Sequence, residues 1–308
     1  MNKEHFKITL ITCVAVIFSY LTPIFTLISQ AENPKQNFQV YVVNYPLQYF
    51  AERIGGDYVD VIFPAPADID PAFWTPGREV IRQYQKADLI LQNGADYAKW
   101  IGKVTLPKSK LVDTSWSFKS EYIPLEDAIT HTHGPTGEHA HSDVAFTTWL
   151  DPLLSAKQAD SIKEAFIKLL PGQKDTFVRN YESLKNDLED LDDKIEKIVS
   201  INSEIPLLAS HPVYQYLARR YNLNLKSVHW EPDEDPGLDQ LKDLDIILEE
   251  HTTGWMIWEG EPKGKTKALL RERGIQSLVF NPAANTPDNG DYLEVMNKNA
   301  DNLKGAYK

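Results

Sequence analysis

Two kinds of segment alternate along the first part of the chain. Short runs rich in Val, Ile and Leu are followed by longer segments with apolar residues at helical spacing. The short runs predict strands at 38–43, 59–63 and 88–91, and the longer segments predict helices at 45–54 and 76–86. Because strands that alternate with helices form parallel sheets, this order predicts a parallel sheet covered by helices.

The middle of the chain carries one long apolar stripe. Its members step by four and three residues, as on one face of a helix: Phe177, Tyr181, Leu184, Leu188, Leu191, Ile195 and Ile198. A separate helix at 153–170 precedes it, and Pro171-Gly172 ends that helix. The stripe fits a rigid strut between two lobes, and it fits an ordinary packing helix or a short coiled coil equally well.

The alternation resumes after residue 200. It predicts strands at 205–210, 255–259 and 277–280 and helices at 212–221, 241–251, 265–273 and 292–307. The predicted fold is therefore α/β, with two lobes that each contain a mostly parallel sheet flanked by helices and that are joined by a single long helix. The expected boundaries are 32–171 for the N-terminal lobe, 172–200 for the connecting helix and 201–308 for the C-terminal lobe.

The N-terminal segment has the layout of an export signal. Lys3 and Lys7 precede an apolar run over 8–28, and Ser29-Gln-Ala31 provides the small residues of a cleavage site. We expect residues 1–31 to be a cleaved signal peptide and the mature protein to be periplasmic, although the length of the run also suits an uncleaved membrane anchor. The one cysteine, Cys13, lies in this segment, so the mature chain would have no thiol chemistry.

Composition and charge narrow the classes of partner. The chain is 42% hydrophobic and 25% charged, which is ordinary for a globular protein, and its formal net charge is −12. Such a negative field disfavours nucleic acid and anionic membranes and favours cations.

Half of the eight histidines lie in one short stretch, 130–142. Neutral imidazole is a good ligand for Zn²⁺ and related ions, so His131, His133, His139 and His141 are candidate metal ligands. Glycine and proline in the stretch predict a solvent-facing loop. The other interpretation is a polar surface loop without function.

Three further polar residues follow predicted strands of the second lobe, namely His211, Glu259 and Asn281. Ligands of open α/β sheets bind at the carboxyl ends of strands, so these side chains could complete a cation site between the lobes. A lone His211 could instead be a capping or core histidine.

Taken in order, several motifs resemble the zinc and manganese solute-binding proteins of bacterial ABC importers. The motifs are Asp70-Pro71, Ala87-Asp-Leu-Ile-Leu-Gln-Asn-Gly94, Trp100, the His-rich loop before Trp149-Leu-Asp-Pro152, Tyr181, Ser210-His211-Pro-Val-Tyr214-Gln-Tyr216, Arg220-Tyr221 and Asp291-Tyr292-Leu to Asn299. The resemblance spans nearly the whole mature chain. It implies two lobes joined by one long helix and a partner permease with its ATPase at the inner membrane.

The chain departs from this family at three of the four usual ligand positions. Ala72 and Thr147 stand where the family has histidines, and Asn281 stands where it has an aspartate. Of the four, only His211 remains. We expect His139 and His141 to replace the lost nitrogens, with Glu259 as the carboxylate and Asn281 as a weak oxygen ligand.

The predicted function is that of a periplasmic, monomeric metal receptor that delivers its ion to an ABC importer. Zinc fits the ligand types best, and Mn²⁺, Ni²⁺ and Cu²⁺ stay open. The alternative is a protein of the same fold that binds a chelated metal or an organic solute in a cleft lined by Trp74, Trp149, Trp230, Trp255 and Trp258. An enzyme is not expected, because the chain has no His-Glu-x-x-His, Gly-x-Ser-x-Gly or phosphate-binding motif.

Overall fold

The computed structural model describes residues 37–125 and 143–308, together with the backbone of 131–132 and 138–139. The first half of the chain builds a sheet of four parallel strands with the order β2-β1-β3-β4. Its elements are β1 (Phe38–Val42), α1 (Tyr45–Gly55), β2 (Val59–Ile62), α2 (Arg78–Lys86), β3 (Leu89–Gln92) and β4 (Leu111–Asp113). The helix α1 starts directly after β1, because the Asn44 side chain accepts a hydrogen bond from the Leu47 N–H and caps the first turn.

The histidine-rich stretch lies almost entirely outside the described residues. Only two short antiparallel strands are described there, β5 (His131–Thr132) and β6 (Glu138–His139). The base of the stretch is well defined, because Leu125 N–H donates to the Asp143 carbonyl at 3.0 Å and Ala145 N–H donates to the Ile123 carbonyl at 2.9 Å.

Two long helices follow, α3 (Pro152–Leu169) and α4 (Lys174–Val199). Asp151 caps α3 by accepting from the N–H groups of Leu153 and Leu154. The predicted stripe of α4 is buried along its whole length, and it packs against α1, α3 and the last helix of the chain. The single long helix of the prediction is therefore present.

The second half builds another sheet of four parallel strands, with the order β10-β9-β7-β8. Its elements are β7 (Pro206–Ala209), α5 (Gln215–Tyr221), β8 (Asn224–Ser227), α6 (Leu238–Glu250), β9 (Trp255–Trp258), α7 (Gly264–Glu272), β10 (Gln276–Val279) and α8 (Tyr292–Leu303). The two parallel-sheet lobes confirm the predicted fold class. The strands β4 and β8, which both lie at sheet edges, are absent from the prediction.

Hydrogen bonds join the two lobes directly. The Trp149 indole N–H donates to the Pro282 carbonyl at 2.7 Å, and the Tyr292 hydroxyl donates to the Trp149 carbonyl at 2.9 Å. Tyr45 N–H donates to the Ala284 carbonyl at 3.0 Å. Since these donors and acceptors are largely buried, breaking them would leave polar groups without partners, and the lobes hold a defined relation to each other.

The predicted signal peptide and Cys13 lie outside the described residues. Within the described ranges, no helix has the length and apolar character that a membrane crossing requires.

A buried ion pair ties α4 to α5. Arg220 donates from Nε and Nη2 to the two carboxylate oxygens of Asp192, at 2.8 and 2.5 Å, and the Tyr221 hydroxyl donates to the same carboxylate at 2.8 Å. The Asp192 side chain is only 6% exposed. Removal of the arginine would therefore leave a buried negative charge without its cation.

We predict that Arg220→Ala lowers the free energy of unfolding by about 3 kcal/mol, because breaking a buried pair costs far more than breaking an exposed one. Arg273→Ala is the matched control, since Arg273 pairs with Asp245, whose side chain is 55% exposed. The control should cost less than about 1 kcal/mol. Urea denaturation followed by circular dichroism measures both, and equal losses would contradict the prediction.

Candidate metal centre

Three strands of the second sheet end at the same level and place polar side chains in a row. Ala209 of β7 is in register with Ser227 of β8 and with Ile257 of β9. Two residues beyond these three positions lie His211, His229 and Glu259. Side chains two residues apart on a strand point to the same face, so the extension of these strands would set the three donors side by side. The hydrogen bonds continue a short way past the strands: Val228 N–H donates to the Ala209 carbonyl at 2.9 Å, Trp230 N–H to the Ser210 carbonyl at 2.7 Å, and Ser210 N–H to the Ile257 carbonyl at 2.8 Å.

The two imidazoles of this row are neighbours. The ring centroids of His211 and His229 are 5.6 Å apart, and the ring planes meet at 82°. A carboxylate reaches the same place from the residue after Trp230, since Oε1 of Glu231 lies 3.4 Å from Nδ1 of His211. The His211 side chain is 12% exposed and that of Glu231 is 34% exposed. The two side chains are therefore partly accessible to solvent.

Negative charge accumulates at this edge. Burial, together with the negative charges of Asp70 and Glu231, raises the pKa of Glu259 to about 8. Asp70 belongs to the segment that follows β2, so the N-terminal lobe contributes a carboxylate to the same field. Asn285 of the other lobe helps to position that segment, because its side-chain amide donates to the carbonyls of Pro66 and Ile69 at 2.7 and 2.8 Å.

The two positions at which the related family has histidines contain no metal ligand in this chain. Ala72 N–H donates to Oδ1 of Asp70 at 2.8 Å, and the Ala72 methyl group packs against the core. The Thr147 hydroxyl, in a residue that is 4% exposed, donates to the Val213 carbonyl at 2.5 Å. Thr147 therefore forms another contact between the lobes.

Asn281 lies one residue past the row. The position of β10 that is level with Glu259 is Phe280, which is 1% exposed. The carboxamide oxygen of Asn281 accepts from the Ala283 N–H at 2.7 Å, and its backbone is bound by Asn299. Its role as an oxygen ligand stays a prediction.

The side chains of His131, His133, His139 and His141 lie outside the described residues. Their predicted roles as ligands are therefore not tested.

Most of the tryptophans that would line an aromatic cleft lie in the hydrophobic cores. Trp149, Trp230 and Trp258 are 1%, 3% and 0% exposed. Trp230 and Trp258 pack against each other with ring centroids 6.3 Å apart. These three rings stabilise the lobes and offer little surface to a solute.

Within the described ranges, the tightest group of possible metal donors lies on α4 and not in the cleft. Carboxylate oxygens of Asp192, Asp193 and Glu196 all lie within 4.8 Å of one another, and the cleft donors form no such group. Asp192 already pairs with Arg220, however, and the other two residues are exposed, so this cluster has a structural role. For the cleft donors to meet one ion, their side chains must move towards each other.

Sequence reasoning missed His229 and Glu231 because it did not predict β8. The strand Asn224–Ser227 alternates between exposed and partly buried positions and contains a single large apolar residue, Leu225. One signal was available: His229-Trp230-Glu231 spaces two donors by two residues, as on one face of an extended segment.

Two parallel-sheet α/β lobes together with one long helix are the architecture of a class of solute-binding proteins. The chain belongs to the ZnuA family, described as zinc-uptake complex component A, periplasmic, which it matches over residues 40–306. It is 26% identical over 291 residues to the high-affinity zinc uptake system protein ZnuA of Bacillus subtilis, with 89% of each chain covered. It is also 26% identical over 226 residues to the manganese-binding lipoprotein MntA of the same organism, with 72% of this chain and 71% of the relative covered.

Solved structures agree on the fold. The metal-dependent lipoprotein YcdH of Bacillus subtilis matches with a TM-score of 0.76 at 23% identity, over 88% of this chain and all of that one. The Zn(II)-bound ZnuA-like domain of AdcA from Streptococcus pneumoniae matches with a TM-score of 0.74 at 20% identity, over 88% of this chain and 99% of that one.

The charge state of Glu259 generates a prediction about stability. Its pKa in the folded protein is about 8, against an ordinary value of 4.5, so folding favours the protonated form. This contribution to stability is complete below about pH 4.5 and is lost as pH rises through about 8. With a chelator present, the free energy of unfolding of the wild type should fall between about pH 5 and pH 9 relative to that of Glu259→Gln.

Urea denaturation at several pH values measures this difference. Glu234→Gln removes an exposed carboxylate from the same lobe and should keep the wild-type profile. Parallel profiles for wild type and Glu259→Gln would show that Glu259 titrates normally in the folded protein.

Proposed function

We propose that this protein is a periplasmic, monomeric receptor that binds a zinc ion in the cleft between its lobes and delivers it to an ABC importer. The observation that carries the proposal is the position of His211, which lies at a strand end beside the carboxylate of Glu231 and in the same row as Glu259. Imidazole and carboxylate together suit divalent first-row metal ions.

The electrostatics of the cleft support a cationic ligand. Three carboxylates, Asp70, Glu231 and Glu259, meet there, and burial together with the negative charges of Asp70 and Glu231 raises the pKa of Glu259. A divalent cation would relieve the repulsion among these charges and favour the ionised carboxylate. An anionic or neutral organic solute would gain nothing from this field.

The choice of zinc rests on ligand type and on the relatives. Zinc accepts nitrogen and oxygen ligands in sites of four donors. The Bacillus subtilis relative that matches over 291 residues is named for zinc uptake. Carboxylate-rich sites also accept Mn²⁺, and the other relative is named for manganese. A direct comparison of the two ions is therefore part of the test.

Export and delivery complete the proposal. The predicted signal peptide would place the mature chain in the periplasm, and membership of the ZnuA family supports a permease and its ATPase as partners. The histidines of 130–142 would collect metal near the cleft, either as ligands or as a shuttle.

We predict that the untagged, exported protein binds one Zn²⁺ tightly and that His211→Ala weakens this binding at least about 100-fold, because a direct ligand contributes more than the 10- to 100-fold typical of outer-shell groups. Calorimetry in competition with a chelator measures the affinity for Zn²⁺ and for Mn²⁺. The control is His251→Gln, which removes an imidazole that binds the Leu207 carbonyl inside the lobe.

Circular dichroism of each variant shows whether it folds. Absence of Zn²⁺ and Mn²⁺ binding by the folded wild type would overturn the proposed function. Tight Mn²⁺ binding with weak Zn²⁺ binding would keep the receptor and change its cargo.

A further inference from the structure

We propose that His229 and Glu231 are ligands of the cleft ion and that His229 supplies the second imidazole that this chain lacks at Ala72 and Thr147. The inference rests on the proposed function, because it names the ligands of the same site. By this inference both nitrogen donors of the site, His211 and His229, belong to the C-terminal lobe and none to the N-terminal lobe.

Strand register is the first support. The pairing of β7 with β8 continues past the strand ends through the bonds from Val228 N–H to the Ala209 carbonyl and from Trp230 N–H to the Ser210 carbonyl, and it brings together the segments that carry His211 and His229. The two imidazoles therefore come from neighbouring segments at one edge of the sheet. Their centroid distance of 5.6 Å agrees with this placement.

Interatomic distance is the second support. Ligand bonds of about 2.0 to 2.1 Å in a tetrahedral site place neighbouring donor atoms about 3.3 Å apart. Nδ1 of His211 and Oε1 of Glu231 are 3.4 Å apart, which is close to that spacing. Glu259 directly follows β9, the strand that pairs with β7, and the charge of Asp70 from the other lobe acts on it.

The donor set therefore consists of two imidazoles and the carboxylates of Glu231 and Glu259, with Asp70 as a further oxygen. Such a mixed set suits Zn²⁺ and other divalent first-row ions. This assignment competes with the expectation from sequence that His139 and His141 provide the nitrogens. A nitrogen ligand cannot take the place of Thr147, where the family resemblance implies a histidine. The Thr147 hydroxyl donates to the Val213 carbonyl, and the residue is 4% exposed.

Removal of the proposed ligands is the first test. In Zn²⁺ competition titrations of the full chain, His229→Gln and Glu231→Gln should each weaken binding at least about 100-fold. Glu234→Gln makes the same change of charge on an exposed residue three positions along the chain and should keep the wild-type affinity.

Deletion of residues 130–142 distinguishes the two candidates for the second imidazole ligand, which are His229 and the loop histidines His139 and His141. The base of the loop is closed by the pairing of Ile123–Leu125 with Asp143–Ala145, and residues 126–129 remain to connect the two sides. If His229 supplies the second imidazole, the deleted protein keeps its tight site. Loss of the tight site on deletion, with the fold retained, would overturn the inference in favour of the loop histidines.

A variant that loses metal binding could simply be unfolded, so a second test looks for a new absorption band. His229→Cys replaces the proposed nitrogen donor by a thiolate, and Co²⁺ bound to a thiolate shows an intense charge-transfer absorption that is absent from imidazole and carboxylate sites. The wild type, whose one cysteine is Cys13, gives the baseline. We expect the band at one equivalent of Co²⁺ in the variant.

The outcomes distinguish the two proposals. A wild type that binds no metal would overturn the proposed function itself. A wild type that binds Zn²⁺ tightly, with unchanged affinity in His229→Gln and Glu231→Gln and no new band in His229→Cys, would overturn this inference alone.

Discussion

The site depends on one constraint, the in-register pairing of β8, β7 and β9. Each of these parallel strands is buried or half-buried by its neighbours, so none can slide by one residue without turning its side chains to the wrong face of the sheet. That register brings the segments that carry His229, His211 and Glu259 to neighbouring strand ends, although these residues are 18 to 48 positions apart in the chain. Past the regular strands the main-chain hydrogen bonds continue to Ser210 and Trp230, and a turn begins at His211, whose carbonyl accepts from the Val213 N–H at 2.9 Å.

The same constraint explains which strand ends are not part of the site. On β10 the level position is taken by Phe280, whose ring packs in the core against Tyr214 with centroids 5.9 Å apart. Asn281 follows it and closes a local turn with the Ala283 N–H. Side chains alternate between the two faces along each strand, so a polar residue must lie at an even spacing from the strand end to reach the site. Asn281 is displaced by one residue, and its side chain therefore contacts the protein's own backbone.

Much of the fold could be predicted from sequence because its central elements are strongly apolar. The stripe of α4 and the strands β1, β3, β7 and β9 are buried and carry unambiguous periodicity. The edge strands β4 and β8 are short and only partly buried, so their sequences carry little pattern. Because Glu231 and His229 follow β8, the missed strand hid two of the proposed donors, while His211 and Glu259 could be found from the well-patterned strands β7 and β9.

Thr147 shows how a ligand position can be exchanged for a structural contact. A buried side chain at this point has to satisfy its polar group within the protein, and the threonine hydroxyl does so by donating to the Val213 carbonyl, two residues after His211. The bond fixes the segment that carries His211 relative to the N-terminal lobe. An imidazole that bound an ion through one nitrogen could not use the same nitrogen to donate to that carbonyl, so the threonine contact and a metal ligand at this position exclude each other.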